Sequence, residues 1–390
     1  MGGVRDLAHV NVAGGDELLC LWPRHGGVYA WGREMLVAFM ESPCRYKHPP
    51  EAARDHTGIW KRGYLRLRRS LDGGQTWSDD GKAFDNSQPY ERQRRILRLD
   101  EFRPHTGPVL ERLDMSGPDA VFLMGRAWCG EDLPTLRTRG PVVYCLRSTD
   151  RGRHWDETPA VLRPARSRFL IHFANNNLRT KTGRLICWVA GEETPEAPCA
   201  AAGCGPQLYA SDNEGAEWLF LSEIWNDPAG RIRASYPHLI VLPSGRWLCF
   251  MECRHVSGDQ RTPWTAVCSS DDEGLNWTAP RALAAWTHAP FPLRLADGRI
   301  LVIYMRCAPD PTGLYLIYSE DDGVHWSTPQ LLRGDGLQAG PHSAIDGAYP
   351  VALSLDGQRV FVVYGWETDE DDVPWYGGRS RISGTYFTLA

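Results

Sequence analysis

SLDGGQTW at residues 70–77, STDRGRHW at 148–155, SDNEGAEW at 211–218, SDDEGLNW at 270–277 and SEDDGVHW at 319–326 are read as five copies of one pattern, Ser-x-Asp-x-Gly-x-x-Trp, the third with Asn at the Asp position. The steps between them are about 50 to 80 residues, the range of one propeller blade with variable loops. A motif repeated at such a step marks stacked supersecondary units that share a core. The pattern suits a tight turn between two strands. Its Asp accepts hydrogen bonds from backbone N–H groups of the same turn, and its Gly takes a positive φ at no steric cost. The Trp opens the next strand and brings a large apolar body to the neighbouring hairpin. Strand-like runs precede the copies, YLRLR at 64–68 before the first and LYLIY at 314–318 before the last.

A chain of 390 residues has room for two or three average domains. The repeats run almost from end to end, so a single propeller over residues 1–390 is expected. The 39 Gly, 28 Pro and 16 Trp fit many short strands with sharp turns. A net charge of −5 with no basic stripe argues against a nucleic-acid partner. No apolar stretch reaches membrane-spanning length. The opening MGGVRDLAHVNV lacks the charged-then-apolar order of a signal peptide, which favours the cytoplasm, or a secreted or periplasmic protein if a leader has been removed. The 11 cysteines lack metal-type spacing. Cys145, Cys187, Cys249 and Cys268 lie in apolar runs as small buried hydrophobes, whereas Cys199 and Cys204 share a loop and can pair.

Blade-like stretches can be read along the whole chain: 27–42, 106–164 (the least regular), 172–191, 235–254, 290–307 and 348–366. The expected architecture is all-β, a six-bladed β-propeller of four-stranded antiparallel blades carrying five boxes. The sixth blade has no box, and GTYFTLA at the C-terminus reads as its third strand. A strand near residues 7–12 or 17–22 would then close the last blade and remove an open sheet edge. An aromatic-Pro pair recurs at Tyr236-Pro237, Phe291-Pro292 and Tyr349-Pro350, and is read as one equivalent position in three blades.

The boxes resemble the Asp-box, or BNR, repeat of the sialidase superfamily, in which they sit on outer hairpins away from the active site. The resemblance implies three arginines on a substrate carboxylate, a Tyr nucleophile assisted by a Glu, and an Asp as acid/base. Guanidinium forks match a carboxylate and stay charged. A neutral phenol avoids the repulsion that a carboxylate nucleophile would meet from an anionic sugar. Arg24 is the nearest match to the first arginine, Arg45 resembles the second arginine of blade 1, and Asp55 stands near the place of the acid/base. Arg254 matches the second triad arginine, Arg306 is an imperfect match to the third, and Tyr349 is placed like the nucleophile. The position of the family's Glu falls on His238, so a His base toward Tyr349 replaces it in this reading. A subgroup of bacterial sialidase-like BNR proteins is similar at Asp346-Gly347-Ala348-Tyr349-Pro350, at Val363-Tyr364 and at Arg381-Ile382-Ser383-Gly384-Thr385.

Other groups suit a sugar. His172 and the amides Asn175, Asn176 and Asn177 open the third blade, and buried amides need partners, either sugar hydroxyls or water. Asn176 is taken as a substrate-binding candidate. Trp60, Trp128, Trp264 and Trp375 lie in loops, as stacking platforms or as anchors. The acidic run at 367–372 lacks an EF-hand pattern, so no metal and no cofactor are assigned. Three functions stay open: an exo-acting retaining sialidase-like hydrolase of a terminal acidic sugar, another glycosidase or a lyase on uronates, and a non-catalytic glycan-binding propeller.

Overall fold

The computed structural model describes residues 3–44, 59, 62–103, 107–128, 141–167, 169–174, 177–192, 204–257, 262–308, 311–335, 348–367 and 380–390. Its strands form six antiparallel sheets that follow one another along the chain, the blades of an all-β six-bladed propeller. Packing divides the chain into two compact units. One comprises Met1–Lys82, Thr262–Thr265 and Ala282–Ala390, with blades 1, 5 and 6. The other comprises Ala83–Arg261 and Ala266–Arg281, with blades 2 and 3 and most of blade 4.

Blade 5 shows the plan: Thr287–Arg294, Ile300–Arg306, Gly313–Ser319 and Gln330–Arg333, each paired with the next. Blade 4 repeats it with Ile232–Val241, Trp247–His255, Trp264–Ser270 and Arg281–Ala285. Blade 2 has three strands among the described residues, Val121–Trp128, Pro141–Ser148 and Ala160–Val161. Blade 6 uses both ends of the chain, with Val4–Ala13 paired antiparallel to Arg381–Leu389. Leu18–Leu21, the other N-terminal stretch considered for closure, belongs instead to blade 1 and pairs with Glu34–Pro43.

The boxes are the local reason for this repetition. In the copy at 270–277, Ser270 Oγ donates to Asp272 Oδ1 (2.8 Å) and accepts from the Gly274 N–H (2.9 Å). Trp277 Nε1 donates to the Gly274 carbonyl at 3.0 Å, and the same bond recurs at Trp77 and Trp326. Gly274 has φ +84°, and a Cβ there would lie 2.6 Å from Leu208 Cδ1 and 2.9 Å from the Trp247 ring. The copy at 211–218 departs from the pattern, because Asn213 stands where Asp is expected. Its Oδ1 still accepts from Ser211 Oγ and from the Glu217 N–H, both at 2.9 Å, so a neutral amide does the geometric work of the carboxylate.

A second device is a kink on the innermost strands. Trp22, His172, Tyr236, Ala289 and Tyr349 all have positive φ, between 37° and 57°. Pro follows in four of the five, and in blades 4 and 5 the kink coincides with a register shift, between Ser235 and His238 and between His288 and Phe291. The equivalent of Tyr236-Pro237 in blade 5 is therefore Ala289-Pro290. The equivalence drawn to Phe291-Pro292 is corrected: Phe291 pairs with Ile303 as His238 pairs with Phe250.

Val37, Phe39, Leu301, Ile303, Phe361 and Val363 lie in the core of the first unit. In the second, Tyr144, Trp188, Tyr209 and Phe250 are among the largest buried side chains. Each is worth about 1.5–3 kcal/mol of burial. Eight described cysteines are free thiols, seven of them buried. Cys204 is held in a disulfide, and Cys199 lies outside the described residues.

Candidate active site

The two ends of a blade carry different chemistry. In blade 5, Ile300 pairs with Ser319, the first residue of the box, whereas Arg306 pairs with Gly313 at the other end. Six residues of strand put about 20 Å between those pairs. Blade 1 repeats the arrangement, with Met35 opposite Ser70 and Glu41 opposite Tyr64. Blade 3 does so with Leu185 opposite Ser211, and Glu192 just beyond the Gly191–Gly205 pair. The boxes thus lie at one end of these blades, and charged residues finish the second strands at the other.

In blades 3 and 4 that end holds a compact polar cluster. Arg233, on the innermost strand of blade 4, is directly opposite Arg254 on the second strand, and Ser235 is opposite Glu252. Arg254 Nε donates to Glu252 Oε1 at 2.5 Å. Arg233 reaches to blade 3, where its Nε donates to Glu192 Oε1 at 2.8 Å and its Nη2 lies 2.6 Å from His172 Nε2. His172 Nε2 is 3.7 Å from Glu192 Oε1, and its ring meets Tyr236 edge-on at 4.3 Å. The two glutamates are sealed, at 2% and 1% side-chain exposure, while Arg233 and Arg254 keep 23% and 20%. Buried carboxylates thus hold two partly exposed guanidinium groups in place from behind. A guanidinium so fixed binds a planar carboxylate or a pair of hydroxyls with little further loss of side-chain freedom.

The unit with blades 1, 5 and 6 holds a second cluster. Trp22 and the helical turn Pro23–Gly26 follow the first innermost strand of blade 1. Gly26 is required there, since a Cβ would meet the Ala38 carbonyl oxygen at 2.0 Å. Arg24 is fully buried, and its Nη1 donates to the carbonyls of Ala289 (3.0 Å) and Pro290 (2.6 Å). Tyr349, 5% exposed, is flanked by Trp22 at 6.2 Å, His25 at 6.0 Å and His288 at 4.9 Å between ring centroids.

Each sequence candidate can now be placed. Arg254 lies in the first cluster, and Arg24 and Tyr349 lie in the second. Arg306 donates from Nη1 to the Pro311 carbonyl at 2.6 Å and lies over the Tyr315 ring at 5.7 Å. His238 is 1% exposed and packs edge-on against Trp188 at 5.1 Å. Among the described residues, His25 and His288 flank Tyr349. Asp55, Arg45 and Asn176 lie outside the described residues. The sequence reading passed over Arg233 and Glu192 as site residues. The alternation Arg233-x-Ser235 at the start of an innermost strand and a Glu closing the run WVAGE were the available signals. Among the described residues, no group of three or more His, Cys, Asp or Glu side chains is arranged to hold a metal ion. No described helix is long and apolar enough to cross a membrane.

A family model described as a BNR repeat-like domain matches residues 68–362. Among solved structures, the chain matches a protein of unknown function from Dyadobacter fermentans at 20% identity, over all of both chains, with a TM-score of 0.67. The Penicillium chrysogenum α-L-arabinanase complexed with arabinobiose matches at 16% identity, over 98% of each chain, with a TM-score of 0.60. A Hadza microbial sialidase matches at 16% identity over 94% of this chain and 65% of that one, with a TM-score of 0.55. At these identities the likeness is one of fold, a propeller shared with glycoside hydrolases.

Proposed function

The chain belongs to the BNR repeat-like domain family, and on that footing we propose that it is a glycoside hydrolase that releases a terminal acidic sugar, such as a sialic acid, from a glycan. One observation carries the reading. Arg233 and Arg254 stand opposite each other at the box-free end of blade 4, each backed by a buried glutamate. The exposed faces of the two guanidinium groups grip the carboxylate of the sugar. Glu192 and Glu252 hold the two forks in place, and their negative charge favours the oxocarbenium-like transition state of glycoside cleavage. Tyr349 as nucleophile and Asp55 as acid/base remain the assignments of the sequence reading, and Tyr349→Phe tests the first of them.

The balance of charge favours a second substrate class. Arg233 is paired with Glu192 and Arg254 with Glu252, so these four side chains sum to zero, which suits a neutral sugar such as an arabinofuranoside. Hydrolysis of a fluorogenic α-sialoside and an α-L-arabinofuranoside separates the two. The first reading expects turnover of the sialoside, with a loss of about a hundredfold in kcat/KM for Arg254→Ala. Turnover of the arabinofuranoside alone would establish the second. A folded protein that binds but cleaves neither is a lectin-like propeller.

A further inference from the structure

We infer that His172 is a positioning residue that braces Arg233 while neutral and adds a positive charge beside it, toward an anionic sugar group, when protonated. The inference rests on the proposed function and deepens it. Its premise is the 2.6 Å contact between Arg233 Nη2 and His172 Nε2. A guanidinium has only donors and does not lose its proton in proteins. The imidazole nitrogen facing it must therefore accept, which places the proton of His172 on Nδ1 and leaves the ring neutral. The charged and titratable neighbours on the packed elements are Glu192 at the end of the second strand of blade 3, Arg233 and Tyr236 on the innermost strand of blade 4, and the Arg254–Glu252 pair beside them.

Protonation of Nε2 removes the acceptor and sets two cations against each other. The imidazolium turns to Glu192, already 3.7 Å away, so that carboxylate then carries both cations. Arg233 Nη2 loses this contact but stays on Glu192 Oε1 at 2.7 Å, and the cluster gains one positive charge. The added charge favours an anion, so affinity for an acidic sugar rises as pH falls and the ring takes up its second proton.

The test has two arms. Nitrogen-15 NMR of the histidine rings, with His172 assigned by comparison with His172→Gln, reads its proton directly. The expected state at pH 7.5 is neutral with hydrogen on Nδ1, and a ring with hydrogen on Nε2, or a cationic ring, overturns the inference. Titration with N-acetylneuraminic acid at pH 5.5 and 7.5 reads affinity without turnover. Binding about tenfold tighter at pH 5.5 is expected, with the difference abolished in His172→Gln, whose amide oxygen can accept from Arg233 at either pH. With a hydrolysed sialoside, the same pH dependence should appear in KM rather than in kcat. Equal affinity at both pH values, an unchanged pH dependence in His172→Gln, or no binding overturns it. Cleavage of another glycan without binding of this sugar would leave the hydrolase reading standing and remove only the role of His172.

Discussion

At the residue scale, the box turns on a glycine and a carboxylate. Gly274 combines a φ of +84° with contacts that leave no space for a Cβ. Gly274→Ala is expected to destabilise the protein by about 1–3 kcal/mol, read as a shift of the urea midpoint. The carboxylate adds a pH dependence. Asp272 is lowered from its usual 3.8 to about 2, first by the Asn276 side chain and then by its backbone N–H and the Ser270 hydroxyl. Asp321 is lowered to about 2 as well, first by the backbone N–H of His325 and then by its ring. A carboxyl depressed in the folded state adds stability above its unfolded pKa and loses it as pH falls through the folded one. The boxes therefore weaken between pH of about 4 and 2. Thermal melts over that range should show the loss, and Asp272→Asn should make the acid limb shallower. Asn213 holds its turn without any charge, which is the natural precedent for that variant.

At the element scale, the strand Val4–Ala13 covers Arg381–Leu389, with Val4 opposite Leu389 and Asn11 opposite Ser383. Deleting residues 1–13 would leave that strand as an open edge, and soluble aggregates in light scattering are the expected outcome. Soluble monomer of unchanged melting temperature would show that the pairing adds nothing. The five boxes were legible in the sequence because their chemistry is local: each Ser, Asp or Asn, and Gly bonds within its own eight residues. The kinked innermost strands were legible only in part. Tyr236 and Tyr349 advertised themselves through an aromatic-Pro pair, but blade 5 puts Ala289 in the same left-handed conformation. A pattern based on aromatics lands two residues too late there, on Phe291. What recurs in four of the five blades is the proline after the kink, and a side chain as small as Ala can precede it.

At the scale of the whole molecule, the legible part of the candidate site was the part written within single strands. Arg254 ends a recognisable strand, and its carboxylate partner is two residues away. Arg233 and His172 are 61 residues apart, and Arg233 and Glu192 are 41 apart, so only the packing of two blades brings them together. His238 illustrates the converse, since spacing alone chose it while packing buries it against Trp188. Tyr349→Phe tests the nucleophile separately: loss of at least a thousandfold in kcat is expected of a covalent nucleophile, and a loss of less than tenfold would remove Tyr349 from that role. The most direct test of the central claim is sugar release from the α-sialoside and the α-L-arabinofuranoside by wild type, Arg254→Ala and Glu192→Gln, each shown to be folded by its melting curve. The account predicts wild-type hydrolysis of one of them, reduced about a hundredfold or more in both variants. Wild-type activity that survives both substitutions, or no hydrolysis of either glycoside by the folded protein, would contradict it.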